Sequence, residues 1–343
     1  MRTGIFTGLR DEWDAYVREH PQATFAHQYE WLQMVHRVYG GRPYYLAAWE
    51  NGRLVGVLPL MLRRLIGAGR VLTSIPFSDE GGVCASSGEA EQALVSLAGQ
   101  LARELGAEHV ELRQMQPLHL PDLACDKSRA ILRMPLPAES EHLWQSLSVN
   151  MRKKVRRARR DGLTCQVGDA GFLRAFYGVY AQNMRDLGSP MHSLRFFEDL
   201  FEAFPEAAVA VHVKRGDQVA GAAVAIQFRD VLTVLCAHSL RALQKLFPNN
   251  LLYWKIFELA IERGCSLADF GRSPRGTGIY EFKKHWGMEE CQLYRYILPV
   301  RGRPHLTDMR DSLAHRAFAF VWRRIPVGLA KTLGPPIFSR LPI

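Results

Sequence analysis

The sequence lacks the patterns that mark disulfide-rich, zinc-binding and membrane-spanning proteins. Its six cysteines are scattered over 343 residues without a Cys-x-x-Cys pair, which argues for reduced thiols. Its twelve histidines show no His-Glu-x-x-His or comparable ligand spacing, so no metal site is expected. The chain has no run of about 18 apolar residues, and its first residues show no apolar segment typical of a signal peptide. These absences favour a cytoplasmic protein.

Positive charge is abundant and concentrated in two segments. The formal net charge is +10, and residues 152–161 and residues 301–343 each contribute +6. The rest of the chain is therefore close to neutral. Local positive charge of this kind suits an anionic partner, which could be phosphate, nucleic acid or a membrane surface.

The chain contains an internal repeat. Residues 44–64 and residues 208–229 each predict two strands, joined by an Asn-Gly turn in the first case and a Gly-Asp turn in the second. Residues 101–112 and residues 259–270 each predict the end of a helix, a glycine and a following strand. The two matched pairs occur in the same order, which favours a duplicated α/β domain.

The repeat also suggests where the domains lie. We place the first domain at residues 1–136 and the second at residues 137–300, because MPLPAES breaks the pattern with two prolines near this boundary. Residues 301–343 then form a basic C-terminal tail.

A basic helix is predicted after residue 140. Its apolar stripe consists of Leu143, Leu147, Met151, Val155 and Ala158. Among its clustered cations are Arg152 and Arg156, whose guanidinium groups match phosphate oxygens and so favour an anion site. The alternatives are a solvated surface helix and a DNA-recognition helix, although no helix-turn-helix pattern accompanies it.

Residues 269–287, DFGRSPRGTGIYEFKKHWG, combine adjacent lysines with large rings. They follow a predicted strand, and loops at strand ends commonly carry binding sites in α/β folds. Lys283 beside the ring of Phe282 would place a cation where it can stabilise a negative oxygen in a transition state. We include Arg272 and Tyr280 in the expected substrate-binding set. The alternative is an ordinary surface lysine whose stem lies along apolar neighbours.

Three stretches resemble the FemAB-related proteins, which have tandem GNAT-like domains (the acyl-CoA N-acyltransferase fold) and form amide bonds on cell-envelope precursors. The pattern N-x-R-x-x-V-R-x-A-x-x-x-G of the basic helix is carried by Asn150, Arg152, Val155, Arg156, Ala158 and Gly162. Residues 248–264 are PNNLLYWKIFELAIERG, and residues 280–287 fit Y-x-F-K-x-x-W-G. With the repeat, the resemblance covers residues 1–300. Residues 76–86, PFSDEGGVCAS, resemble the exosortase-associated subgroup.

The resemblance implies a fold and several residue roles. The expected fold is α/β, with two tandem GNAT-like domains built on mixed sheets. Lys283, backed by Phe282, would lie at the reacting carbonyl of the acyl donor and stabilise its oxyanion. Arg152 and Arg156 would bind an anionic part of the substrate, such as a diphosphate.

The general base is left open by the sequence. The family often has a glycine-containing substrate loop that ends in a carboxylate, but in residues 76–86 Asp79 and Glu80 precede the glycines instead. A substrate carboxylate, Asp79, Glu80 or Asp269 could each accept the proton. His285 is an equally available candidate.

The acyl donor is expected to be a co-substrate, and no cofactor is expected. GNAT folds that use acyl-CoA usually carry a glycine-rich turn whose amides hold the pyrophosphate at a helix N-terminus. The corresponding residues 238–250 contain no glycine, which favours aminoacyl-tRNA over acyl-CoA. The basic segments suit such an RNA.

The favoured function is an acyl- or aminoacyltransferase that forms an amide bond on an amine of an envelope precursor, either a peptidoglycan peptide or an exopolysaccharide sugar. The precursor would be anionic, linked to a nucleotide or lipid diphosphate. One alternative is a non-catalytic protein with a degenerate transferase fold that binds nucleic acid or a membrane surface. Another is an acyl-CoA-dependent N-acyltransferase.

The tail alternates apolar and basic residues. Its predicted apolar face consists of Leu313, Ala317, Phe320, Val321 and Ile325, with Arg316, Arg323, Arg324 and Lys331 around it. Such a segment can lie on an anionic membrane, here at the inner face of the cell membrane. The alternative is a helix that packs back on the domains.

Overall fold

The computed structural model describes residues 1–120, 123–301 and 313–341. The chain divides into two compact units. The first comprises Met1–Ala130, Cys291–Thr307 and Ser339–Ile343, and the second comprises Ile131–Glu290 and Asp308–Phe338. The first unit therefore includes residues from both ends of the chain. A single boundary after residue 136 cannot describe such a division. The domain limits given above stay a prediction.

The helices of the described residues alternate with strands through most of the chain. They are α1 (Arg10–Glu19), α2 (Tyr29–Tyr39), α3 (Gly88–Glu104), α4 (Ser140–Ser146), α5 (Val149–Arg160), α6 (Leu173–Leu187), α7 (Leu194–Ala203), α8 (Pro248–Glu262), α9 (Gly278–Lys284), α10 (Leu313–Trp322) and α11 (Val327–Phe338). Short 3₁₀ helices cover Phe25–His27, Ala170–Phe172 and Arg241–Leu246.

The strands fall into two sheets. They are β1 (Arg2–Ile5), β2 (Arg42–Glu50), β3 (Arg53–Leu65), β4 (Gly69–Ser74), β5 (Cys84–Ala85), β6 (His109–Gln114), β7 (Ala124–Asp126), β8 (Arg129–Pro135), β9 (Leu163–Gly168), β10 (Ala208–Arg215), β11 (Gln218–Phe228), β12 (Val231–Ser239), β13 (Leu267–Pro274), β14 (Glu289–Gln292) and β15 (Tyr294–Pro299).

The first sheet is mixed. Its strand order is β1-β2-β3-β4-β6-β15-β7, with β5 paired to β3 beside this path. β2, β3 and β4 are antiparallel neighbours, whereas β4 and β6 run parallel. A buried apolar cluster combines Leu46, Leu58 and Leu72 of the sheet with Leu94 and Ala98 of α3. Leu94 and Ala98 are four residues apart and therefore lie on the same face of α3, which packs on the sheet.

The second sheet repeats this arrangement. Its strand order is β14-β8-β13-β12-β11-β10-β9. β10, β11 and β12 are antiparallel neighbours, and β12 runs parallel to β13. Each unit thus contains three antiparallel strands, a helix and a parallel strand in the same chain order. The predicted fold class, an α/β fold with mixed sheets, is confirmed.

Glycines with positive φ close the repeated turns. The β2–β3 turn uses Asn51 (φ 50) and Gly52 (φ 79), as expected of a tight hairpin. Gly216 (φ 57) lies in the turn between β10 and β11. Gly106 (φ 65) and Gly264 (φ 73) follow α3 and α8, where a left-handed residue ends the helix. These are the turns that the sequence predicts.

Two predicted elements differ from the structure. The basic helix is two helices, α4 and α5, because Leu147 has an extended backbone (ψ 146) and the next residue caps α5. The Ser148 hydroxyl accepts a hydrogen bond from the Met151 amide at 3.3 Å, which starts a new helix there. The strand predicted to end at Asp269-Phe270 continues as β13 to Pro274.

None of the helices that the structure describes has the length and apolar character needed to span a bilayer.

Candidate active site

The parallel strands β12 and β13 pair over only part of their length. Their ladder joins Val231, Leu232 and Thr233 to residues 267–269, and no further pair is formed between them. β12 continues to Ser239 and β13 to Pro274. Backbone groups beyond the ladder can bond to other partners, and the carboxyl ends of parallel strands are a common ligand site.

Lys283 contacts β13 just beyond this ladder. It belongs to α9, whose start is capped by the Thr277 hydroxyl, which accepts from the Tyr280 amide at 3.4 Å. The side chain is buried, with only 5% of the residue exposed. Its Nζ donates to the carbonyl oxygens of Phe270 at 2.5 Å and Gly271 at 3.3 Å. These two carbonyls hold Nζ in place.

An aromatic wall surrounds this part of the unit. Tyr253 of α8 lies 4.5 Å from Phe270, 5.1 Å from Phe282 and 6.1 Å from Trp286, measured between ring centroids. Burial raises the pKa of Tyr253 well above its ordinary value, so the phenol stays neutral. Since Phe282 is half-buried in this wall, the predicted ring beside Lys283 is part of an apolar cluster.

Asp269 supports the backbone beneath Lys283. The residue is 2% exposed. Its Oδ2 accepts from Arg133 Nε at 2.7 Å, and its Oδ1 accepts from the Gly271 amide at 2.7 Å. Both carboxylate oxygens are thus engaged with groups that fix β8 and β13. These contacts connect β8 to β13, and the role of Asp269 as a base stays a prediction.

Tyr280 belongs to an exposed cluster at the start of α9. Its hydroxyl donates to Glu290, which also accepts from Arg275 Nε at 2.8 Å. The hydrogen bond to Glu290 raises the pKa of Tyr280, and the same bond lowers the pKa of Glu290. The cluster ties α9 to β14. Arg272 lies half-buried on β13, one residue beyond the carbonyl that Lys283 contacts.

A cationic cleft of about 510 Å³ lies along α5. Five cationic side chains line it together with Asn150 and Phe247: Lys153, Lys154, Arg156, Arg157 and Arg160. The ring of Phe247 lies 5.5 Å from the Arg157 guanidinium. Phe247 has a left-handed backbone (φ 58) and directly precedes the first turn of α8. The cationic side chains therefore lie near the N-terminal end of α8. A helix N-terminus favours anions, so both features act in the same direction.

Within the described ranges, few carboxylates neutralise the cleft. Arg157 pairs with Asp161 at 3.4 Å, and both side chains are partly exposed. Lys153, Lys154 and Arg160 form no ion pair there, and Arg156 lies 5.4 Å from the ring of Trp144. An anion could therefore bind most of these cations without breaking an ion pair within the protein.

Arg152 does not line this cleft. It is half-buried, and its Nε has no hydrogen-bond partner in the part of the chain that the structure describes. Of the two arginines predicted to bind anions, only Arg156 lines the cleft. Asn150, Lys153, Lys154 and Arg157 share one face of α5, because they follow the spacing i, i+3, i+4 and i+7.

Asp79 and Glu80 lie in the first unit, between β4 and β5. Glu80 is buried, at 8% exposure, and its carbonyl accepts from the Ser78 hydroxyl at 2.9 Å. The next residue, Gly81 (φ 146), donates its amide to the Arg113 carbonyl at 3.1 Å. The segment is thus fixed to β6, and catalytic or binding roles of Asp79 and Glu80 stay predictions.

The structure brings together five of the predicted residues and adds others. Lys283, Phe282, Asp269, Arg272 and Tyr280 all lie on β13 and α9. Arg160 was among the clustered cations of the predicted basic helix, whereas sequence reasoning missed five residues that hold or extend the site, which are Arg133, Tyr253, Lys153, Arg157 and Phe247. The spacing i, i+3, i+4 and i+7 from Asn150 is the signal that could have identified the cleft-lining face of α5.

Comparisons with known proteins show what the fold is similar to. Residues 146–284 match the model of the acetyltransferase (GNAT) domain family. No curated protein sequence matches the chain. Among solved structures, FemX is similar with a TM-score of 0.69 at 17% identity, over 87% of this chain and 98% of that one.

Two further structures share the fold. The C-terminal domain (DUF2156) of a putative lysylphosphatidylglycerol synthetase from Agrobacterium fabrum has a TM-score of 0.58 at 13% identity, covering 91% of this chain and 93% of that one. A tandem GNAT protein from the clavulanic acid biosynthesis pathway has a TM-score of 0.54 at 10% identity, covering 88% of this chain and 99% of that one. The predicted tandem GNAT fold is thereby confirmed, and the match to the acetyltransferase (GNAT) model is confined to residues 146–284.

Proposed function

We propose that the protein is an acyl- or aminoacyltransferase that forms an amide bond on an amine of a cell-envelope precursor. The observation that carries the proposal is the Lys283 ammonium, buried beside the point where β12 and β13 separate. The GNAT domain match supports group transfer of this kind. The similarity to FemX and to a putative lysylphosphatidylglycerol synthetase supports an envelope acceptor.

Lys283 would act on the acyl carbonyl of the donor. A substrate amine attacks this carbon, a C–N bond forms, and the carbonyl oxygen becomes a negative oxygen. The ammonium stabilises that oxygen, an interaction typically worth about 3 kcal/mol in a preorganised site. The intermediate then collapses as the C–O bond of an ester donor breaks. The attacking nitrogen loses a proton to a base, and the leaving oxygen gains one.

The base in this scheme is a substrate carboxylate, one of the acidic side chains named above or His285. Asp269 is a weaker candidate than the others, because both of its oxygens already accept hydrogen bonds. Arg272 and Tyr280, near Lys283 in the chain, would contact the substrate around the reacting carbonyl.

The cationic cleft would hold the anionic part of a substrate. Its cations lie beside the residue that precedes α8, which is where GNAT folds hold a donor pyrophosphate. The segment before α8 is a 3₁₀ helix, Arg241–Leu246, rather than a glycine-rich cradle. Side-chain cations rather than backbone amides would therefore bind the phosphates. This favours aminoacyl-tRNA as the donor, with the precursor's diphosphate as the other anion that the cleft suits.

An acyl-CoA-dependent N-acyltransferase is the second candidate, favoured by the match of residues 146–284 to an acetyltransferase domain. A titration of the full chain with acetyl-CoA and, separately, with a charged tRNA pool distinguishes the two. The measurement is made at two salt concentrations, because contacts with RNA phosphates weaken as salt rises. Preference for charged over uncharged tRNA supports the aminoacyl donor, and saturable CoA binding overturns it.

Transfer itself is tested with the donor that binds. Radiolabelled donor is incubated with the protein and with amine-bearing envelope precursors, of peptidoglycan and of exopolysaccharide origin. Label in an acid-stable amide on one precursor supports the proposal and identifies the acceptor. Binding of neither donor, together with no transfer to either precursor, would favour a non-catalytic binding protein.

A further inference from the structure

Helices α10 and α11 belong to the second unit, and each packs on the rest of that unit through one side. Ala319, Trp322 and Ala330 are buried. A Cβ added at Gly188 would lie 2.9 Å from the Ala319 Cβ, so the two backbones are in close contact there. The Arg323 carbonyl accepts from Arg185 Nη1 at 3.1 Å. These contacts fix α10 against α6 and determine which of its sides is left open.

The open side of α10 is apolar. Phe320 and Val321 are 58% and 61% exposed, and Ala317 is exposed beside them. On α11, Leu329 and Leu333 are 46% and 43% exposed, one turn apart. Large apolar residues grouped in this way on a protein surface usually mark a site for another molecule.

Arginines accompany the apolar side chains. Arg316, Ala317, Phe320, Val321 and Arg324 follow one another at helical spacing and are all exposed; we call these five residues the tail face. The Arg324 guanidinium lies 3.5 Å from the centroid of the Phe320 ring. Residues 313–341 contain no aspartate or glutamate. The partner that this face fits is therefore both apolar and negatively charged.

We propose that the tail face docks on the surface of an anionic lipid bilayer. Phe320 and Val321 would enter the boundary between headgroups and acyl chains, and Arg316 and Arg324 would bind lipid phosphates. A lipid surface offers both properties at once, whereas a nucleic acid would leave Val321 and Ala317 in water. This docking does not depend on the acyl donor or on Lys283, because it uses residues outside the candidate active site.

Vesicle flotation of the full chain tests the proposal. Vesicles of phosphatidylcholine alone are compared with vesicles that also contain phosphatidylglycerol, at low and high salt. We expect binding to the anionic vesicles only, with a weaker signal at high salt. The double variant Phe320→Ser/Val321→Ser should lower partitioning about tenfold. Each arginine removed in Arg316→Gln/Arg324→Gln should lower it about fivefold.

Matched variants separate this face from other exposed or basic regions. Ile5→Ser/Leu9→Ser removes apolar side chains that are 51% and 79% exposed elsewhere, and it should leave partitioning unchanged. Lys153→Gln/Lys154→Gln removes two charges from the cationic cleft and should have little effect. The proposal is overturned if the wild-type protein does not float with anionic vesicles, or if the cleft variant abolishes floating while Phe320→Ser/Val321→Ser does not. Wild-type dimers that become monomers in Phe320→Ser/Val321→Ser, without vesicle binding, would assign the face to a second copy of the chain instead.

Discussion

Replacing Asp269 by alanine should strongly destabilise the second unit. The Asp269 side chain is 2% exposed, and that of its partner Arg133 is 20% exposed. The substitution removes the 2.7 Å contact with Arg133 and leaves the Gly271 amide without this acceptor. Breaking a buried ion pair by removing one partner typically costs about 3–5 kcal/mol. Because the Arg133 side chain is partly exposed and can regain water, we expect about 3 kcal/mol.

Two further variants make this magnitude a test of the reasoning. Asp269→Asn keeps an oxygen that can accept from the Gly271 amide and should cost only about 1–2 kcal/mol. Asp161→Ala removes the ion pair between Asp161, whose side chain is 32% exposed, and Arg157, whose side chain is 57% exposed. This substitution should lower the free energy of unfolding by less than about 1 kcal/mol.

The assay is equilibrium unfolding in urea near neutral pH, followed by tryptophan fluorescence. The buried Trp286 lies in the same unit and reports its unfolding. A decrease in unfolding free energy in Asp269→Ala no greater than that in Asp161→Ala would refute the view that this carboxylate holds β8 and β13 together.

Two other predictions concern His238 and the cationic cleft. Burial lowers the pKa of His238 from 6.5 to about 4. Between these pH values the unfolded chain binds a proton at this residue and the folded protein does not, so the free energy of unfolding should decline as pH falls from 6.5 towards 4. Urea midpoints at several pH values should fall less steeply in His238→Gln, and equal slopes would contradict the assignment. Replacing Lys153, Lys154 and Arg157 together by alanine should weaken polyanion binding at low salt. The fall of the logarithm of the binding constant with the logarithm of the salt concentration should become less steep, by about 0.7 for each phosphate that the variant no longer neutralises. Arg195→Ala on α7 should leave that slope unchanged, and a triple variant with the wild-type slope would exclude the cleft as the anion site.

The repeated elements could be predicted from the sequence because their signals are local. The Asn51-Gly52 turn requires positive φ at two residues, and apolar alternation on either side predicts the strands. The helix, glycine and strand at Gly106 and at Gly264 follow the same logic. Where the residue type alone determines the backbone conformation, the element can be predicted from the sequence.

Other features depend on contacts between distant residues. The break at Leu147 and Ser148 is local, but the apolar stripe runs through both helices and so does not reveal it. The residues of β15 are far in sequence from β6, its neighbour in the first sheet, so no local pattern could place them there. Arg133 is 136 residues away from Asp269, and nothing in either local sequence pairs them.

The candidate site was predicted in part. The resemblance selected Lys283, and the structure adds that its ammonium is buried against two carbonyls. The cationic face of α5 was recognised by composition, but its lining is seen only in the structure, where Lys153 and Arg157 line the cleft and Arg152 does not.

The most direct test of the account is transfer by Lys283→Met, with Lys284→Met as the matched control. Methionine keeps the length and apolar stem of the buried lysine and removes its charge, while Lys284 contacts the Met288 carbonyl at 3.1 Å on the exposed side of α9. We predict that Lys283→Met lowers kcat by about 100- to 1,000-fold, retains a cooperative unfolding transition and still binds the donor. Lys284→Met should stay close to wild type. Turnover by folded Lys283→Met within about threefold of wild type would contradict the assignment of oxyanion stabilisation to this residue.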